Sequence, residues 1–443
     1  MSAPAASSSV PGVRAVVELG RSALRFSWAG AAFGADQLTR LTRPGAGAAA
    51  AFDAVTLAAR RGMDPLPQAF FQAADDFQKE WLDRVPGDLS PPSWRRFTRS
   101  LATAAGTYLT VLRPDVEGTV TRRELFHKLE VYALVRRGSA SLGPRAETRA
   151  SFHAAVEKAL ELEPRHALWV LEGLGHGHAR AALARDPEPS GLLIGARLPQ
   201  RALMMVHLGL GMALAEHVFG ALDPEDENGI RRAIDRFTGL CLANSEPGHE
   251  DAALESLGLV LRCFLPELVA PVDRGLPETA GERPLREYFW HGVGRAIYFL
   301  PLHLIPGHGS IEVALGRLEG EAPDRRASAN GRAGVAYAAA LVNLGTPVVL
   351  ERFARRCPEA LDRAFVGGLA SALMLRRRTT PDTGEVETFL GYRPEGGDPE
   401  AKERWLRRVI EPVEMALLQG NGAGGAVVRK LAGASHSEGR ATS

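Results

Sequence analysis

The chain is poor in cysteine, nearly devoid of lysine and without a dominant charge. Its three cysteines, Cys241, Cys263 and Cys357, are scattered and odd in number. That argues against a disulfide framework or a cysteine-rich zinc site and points to a reducing, cytoplasmic setting. Fifty-three basic and 52 acidic residues leave a net charge of +1, so no global field favours nucleic acid or an acidic membrane. Only five of the basic residues are lysine, a bias that fits a GC-rich genome before it fits phosphate recognition. A run of ~18 apolar residues is lacking, so no membrane span is expected. The Ala/Ser/Pro-rich stretch from Met1 to Gly12 lacks the apolar centre of a signal peptide. There is no Walker loop, no strand-linked dinucleotide fingerprint and no Gly-x-Ser-x-Gly elbow. What remains for 443 residues, 45% of them hydrophobic, is a globular protein with a large core or a long repeat array.

What is present is glycine inside apolar helical stretches. Phe289 to Phe299 places Gly292 and Gly294 between aromatic residues, His291 and Arg295. A glycine inside a helix costs roughly 1 kcal/mol relative to alanine, and the cost is tolerated where another backbone or a ligand must come close. Aligned on Gly175, Gly211, Gly258, Gly294, Gly334 and Gly368, the chain repeats at intervals of 36, 47, 36, 40 and 34 residues, a period of the helical-hairpin kind. Pro164, Pro199, Pro247, Pro284, Pro323 and Pro358 precede those glycines by 10 to 12 residues, and proline favours the first position of a helix. Alanine follows at i+4 in Gly175/Ala179, Gly211/Ala215, Gly334/Ala338 and Gly368/Ala372, giving each helix a smooth stripe on one face.

Between the glycine helices lie amphipathic, charged ones: Ser151 to Leu162, Asn228 to Cys241, Ile311 to Leu318 and Val348 to Arg356. No convincing period-2 strand interrupts them. The expected fold is therefore all-α, with six α/α-hairpin repeats forming a toroid or a tight superhelix over residues 146–380. A disordered or linker region (1–50) and a helical N-terminal region (51–145) precede the repeats. In the latter, Val120 to Arg136 reads as a helix with Thr121 as N-cap and Glu124 closing a capping box. A C-terminal loop and helix (381–418) and a disordered tail (419–443) follow.

If the glycine helices are the inner ones, the polar residues beside their glycines converge on a central cavity. His291 and Arg295 are the candidate acid/base and anion-stabilising pair. Glu172, His176, His178, His207, Glu255, Tyr288, Trp290, Tyr298, Asn330 and Arg332 are candidate ligand contacts, each with an ordinary packing role as the alternative. Gly175-His176-Gly177-His178 and His303/His308 lack the i, i+4 pairing and the carboxylates of a usual metal site. Asp75, Asp76 and Glu80, in contrast, form Asp-Asp-x-x-x-Glu on a helix and could hold Mg²⁺ through a diphosphate. That is the basis of an alternative reading as an isoprenoid cyclase, although a second metal-binding motif is not evident.

The segment Ala202-Leu203-Met204-Met205-Val206-His207-Leu208-Gly209-Leu210-Gly211-Met212-Ala213-Leu214 resembles one signature of the UnbL-type family, and Phe289 to Phe299 resembles the other. Val55 to Gly62 is similar, more loosely, to that family's N-terminal segment. The family comprises bacterial proteins encoded beside enediyne polyketide gene clusters, and it has no catalytic residues to transfer. The resemblance implies a biosynthetic role toward a hydrophobic, polyene-like intermediate, with another pathway protein as the other conceivable partner. A fold-level similarity to lanthionine-cyclase-like toroids does not extend to their zinc chemistry, because no cysteine precedes Trp290-His291-Gly292.

Overall fold

The computed structural model describes residues 116–141, 148–277, 284–299, 310–394 and 399–420, all within a unit spanning Pro65–Ser443. Every regular element among the described residues is helical. The first eight are α1 (Val116–Ser141), α2 (Arg149–Leu160), α3 (Pro164–Leu183), α4 (Gln200–Phe219), α5 (Glu227–Asn244), α6 (Glu250–Phe264), α7 (Val269–Gly275) and α8 (Leu285–Phe299). There follow α9 (Ser310–Glu321), α10 (Arg325–Asn343), α11 (Val348–Arg356), α12 (Arg363–Thr379), α13 (Glu385–Gly391), α14 (Pro399–Trp405) and α15 (Glu411–Gly420), the last two joined by a π-helical turn at Leu406–Ile410.

Helix starts follow from side chains that satisfy otherwise unpaired N–H groups. Asp226 caps α5 through Gly229 N, Asp324 caps α10 through Ala327 N, and Asp362 caps α12 through Phe365 N, each at 2.8 Å. Of the six spaced prolines, only Pro164 occupies a first helical turn of its glycine helix; Pro199 is the N-cap of α4 and Pro284 immediately precedes α8. Pro247, Pro323 and Pro358 stand a few residues ahead of their helices. Thr121 lies inside α1, so it is not a cap, and Glu124 does not close a capping box but turns into the protein interior.

Seven long helices, α1, α3, α4, α6, α8, α10 and α12, pack each against the next. Glycines make those seams. A Cβ on Gly258 would lie 1.9 Å from the carbonyl oxygen of Phe289, and one on Gly292, across the same seam, 2.2 Å from that of Glu255. Gly173, Gly209, Gly292 and Gly334 each meet the backbone of the preceding helix in the series, while Gly138, Gly175, Gly211, Gly258 and Gly294 meet that of the following one. The geometry explains the Gly-x-Gly spacing. Residues two apart on a helix are rotated by about 200°, so one glycine serves each neighbour. Ser256 stands at the first position in α6 and donates instead to the Leu208 carbonyl of α4 at 2.8 Å.

This geometry changes the register of the repeat. Gly334 and Gly368 both face the helix before them, meeting the carbonyls of His291 and Ala333. They match Gly292, not Gly294, and Ala336 and Ala370 hold the second small position. Gly331, part of the apparent Gly-x-x-Gly, faces a flanking helix instead, and a Cβ there would strike Leu318 of α9.

The flanking helices α2, α5, α9 and α11 fall where the charged amphipathic stretches are expected. The link 184–199 ahead of α4, however, contains turns and bends and no helix. Contacts also join helices distant in the series. The guanidinium of Arg376 on α12 donates to the Pro164 carbonyl at the start of α3 (3.0 Å), and α12 touches α4. Among the described residues one helix, α4, is long and apolar enough to cross a membrane, but 72% of its apolar window is buried among its neighbours.

Candidate functional site

The glycine seams bring backbones together and thereby bring polar side chains from different helices into contact. The centre is Arg295 on α8. Its Nη1 donates to Glu255 Oε2 of α6 at 2.6 Å and its Nη2 to Glu172 Oε1 of α3 at 3.2 Å. The second oxygen of Glu255 faces His291 Nδ1 at 2.9 Å. All four residues are at most 3% exposed. Tyr337 of α10 closes the group, its ring edge-on to His291 and 5.5 Å from the guanidinium carbon of Arg295. His291 and Arg295 fall on one face because they are four residues apart. Gly292 lets α6 come close enough for Glu255 to reach them.

The electrostatics of the group are asymmetric. Burial pushes the Glu255 carboxyl up, but Arg295 and His291 outweigh it and hold the group below the usual carboxylate range. Glu172 has burial and the neighbouring Glu255 against it, and Arg295 compensates only in part, so its carboxyl is raised. Burial opposes the charge on Arg295, yet the two carboxylates hold it above the ordinary arginine value. An ionised Glu255 can only accept, so in the neutral imidazole the proton sits on Nδ1. That leaves His291 Nε2 as a lone-pair nitrogen, and it is buried without a hydrogen-bond partner. The Nε of Arg295 is likewise unspent.

Other expected contacts go elsewhere. His176 bridges Ser139 of α1 (2.9 Å) and Glu216 of α4 (3.0 Å), one turn from Glu172. His207 accepts from the Glu246 N–H (2.9 Å) and therefore donates to the Leu203 carbonyl (2.6 Å). Burial depresses its pKa to about 4, and no ring nitrogen is left for a ligand. Trp290 is turned about 100° away from His291 and donates to Asp273 of α7 at 2.7 Å. Asn330 donates back to the Arg326 carbonyl within its own helix. Arg332 faces outward, donating to Asp362 and to the Ala360 carbonyl at 2.8 Å each. It lines a polar surface groove of about 470 Å³ with Glu319, Asp324 and Arg325. His178 stacks on Phe152 of α2. Tyr288 is buried in α8.

Tyr298 belongs to a second buried cluster, seven residues along α8 from His291. Its hydroxyl donates to Glu124 Oε1 of α1 (2.5 Å) and accepts from Asn343 Nδ2 of α10 (2.8 Å). The Ser310 hydroxyl donates to the same Glu124 oxygen. Lys128, one turn after Glu124, lies over the Tyr298 ring with its Nζ 3.7 Å from the centroid. Lys128, Glu216, Asn343 and Tyr337 are functional candidates that the sequence does not single out. Glu124 and Lys128 look like an ordinary exposed i, i+4 pair; the one available signal is that lysine is so scarce here.

No three His, Cys, Asp or Glu side chains among the described residues are grouped to hold a metal ion. Asp75, Asp76 and Glu80, the candidate Mg²⁺ ligands, lie outside the described residues, as do His303, His308 and Val55 to Gly62. No protein-family model, curated protein or solved structure matches the chain.

Proposed function

We propose that the protein binds and modifies a hydrophobic intermediate of the polyene or polyketide kind by acid/base chemistry centred on His291. The observation that carries the reading is the buried His291 Nε2, unpartnered while Nδ1 is tied to Glu255. A carboxylate that fixes the tautomer and supports the imidazolium is how a histidine is made a directed base. Arg295, four residues on, supplies positive charge where an enolate or carboxylate would develop in a water-poor interior. The resemblance to enediyne-associated proteins supplies the substrate class, and the apolar faces of α4, α6 and α8 suit it. Closure of the helix series into a toroid, with the flanking helices as the outer members of hairpins, is part of the same proposal. It draws support from the cross-links Glu172–Arg295 and Arg376–Pro164 between helices far apart in the series.

The test is native mass spectrometry of wild-type protein and His291→Ala, each purified from the source organism, followed by identification of any extracted small molecule. The expected result is a retained hydrophobic compound, in a chemically earlier form in the variant. The same compound in both would remove His291 from the chemistry. An empty protein that carries a second polypeptide would favour a helical-repeat scaffold for a pathway partner.

A further inference from the structure

Lys128 is the one lysine side chain among the described residues that is fully interior, at 2% exposure. An ammonium carries three donors, yet its Nζ has no hydrogen-bond partner. What it has is the face of Tyr298 at 3.7 Å. The polar groups around that ring are satisfied through one another: Tyr298 and Ser310 through Glu124, and Asn343 through Tyr298. The exception is Asn343 Oδ1, which is also buried and unpartnered. One cluster therefore holds an unspent amine, an unspent amide oxygen and a phenol–carboxyl pair. Around it stand aromatic rings: Phe299 packs on Tyr298, on Tyr132 and on Trp169.

We infer that Lys128 is a covalent attachment site for a hydrophobic aldehyde or ketone, held as an imine. The Nζ lone pair attacks the carbonyl carbon, forming the C–N bond while the carbonyl oxygen takes up a proton. Loss of the second nitrogen proton and departure of that oxygen as water then gives the imine, with no oxidant or reductant required. A lysine does this only as the free amine, and desolvation is the usual means of obtaining one. Burial lowers the Lys128 pKa from 10.5 to about 8, with Glu124 opposing the shift only in part. The hydrogen-bonded Tyr298–Glu124 pair belongs to the same cluster, with the Tyr298 ring directly beneath the amine. The site is distinct from His291 and does not depend on the acid/base reading of that residue.

The experiment is reductive trapping on the full chain at pH 7 with decanal and sodium cyanoborohydride, followed by peptide mapping. The hydride donor converts an imine to a stable secondary amine. At that pH an amine of pKa about 8 has a free-base fraction about 300-fold that of an ordinary lysine. Alkylation of Lys128 is accordingly expected at least about tenfold faster than that of the exposed Lys158 and Lys402, even with slow entry to the interior. Lys128→Arg, which keeps the charge but forms no imine, is expected to lose only that adduct. Tyr298→Phe is expected to slow trapping about tenfold, because the hydroxyl that holds the Glu124 carboxylate in the cluster is gone. Recovery of unmodified Lys128 from protein in which Lys158 and Lys402 carry the adduct overturns the assignment. It falls equally if Lys128 reacts no faster than those two. The wild-type map alone decides it, whatever the folding of the variants.

Discussion

Helix α8 carries the ends of two buried polar clusters that accommodate a cation in opposite ways. Arg295 is met by two carboxylates, Glu255 and Glu172, and is held above the ordinary arginine value. Lys128, beside Tyr298, is met by an aromatic face and no hydrogen bond, and its pKa falls to about 8. The first cluster is a tie between α3, α6 and α8 whose charges are largely spent on one another. The second is an amine under little restraint. Burial alone does not tell a spent charge from an unspent one; the state of the hydrogen bonds does.

The largest expected effect is from breaking the tie. Glu255→Ala leaves Arg295 and His291 without their main partner, and loss of one member of a buried ion pair costs about 3–5 kcal/mol. Urea unfolding measures it, and a cost under about 1 kcal/mol would mean that water or rearrangement already relieves Arg295.

Lys128→Met should do the reverse. With the folded pKa about 8 and the unfolded value 10.5, the folded protein binds fewer protons between those limits. The penalty of charging Lys128 is therefore fully present below pH 8, about 3 kcal/mol by the shift, and fades as pH rises toward 10.5. Lys128→Met is expected to be the more stable protein at pH 7, and its advantage should shrink from pH 8 upward. An advantage that grows with pH would show that the ammonium is stabilised, as in the Arg295 cluster.

Gly292→Ala separates the two clusters. The added methyl meets the Glu255 carbonyl, so α6 must move away from α8, with a cost of about 1–3 kcal/mol for overpacking. The His291–Glu255 bond is expected to lengthen while the Tyr298–Glu124 bond persists. Nitrogen chemical shifts of the imidazole read the first; if they do not change, the seam does not set that distance.

Much of the helix series is legible from Gly-x-Gly because two positions at about 200° declare two neighbours. The register fails at Gly334 and Gly368, where a single glycine replaces the pair and Gly331 mimics a partner while meeting Leu318. At the site, Glu172, Glu255, His291 and Arg295 do converge, since each lies on the face its glycine selects. Trp290, Asn330 and Arg332 do not: Trp290 turns to Asp273, Asn330 bonds back to the Arg326 carbonyl, and Arg332 faces Asp362 and the Ala360 carbonyl. His207 is beyond such reading: its second partner, the Glu246 N–H, comes from a loop 39 residues away. Lys128 is hidden for a related reason, as burial of an i, i+4 pair depends on the helices laid over it.

The seams themselves have an evolutionary consequence. Because backbone meets backbone there, the frame is specified by a handful of small residues and is largely indifferent to the side chains that project between the seams. Those side chains can be exchanged without repacking the joints. A lineage that keeps the glycines is thus free to rewrite the interior one residue at a time, and divergence in reaction should outrun divergence in shape.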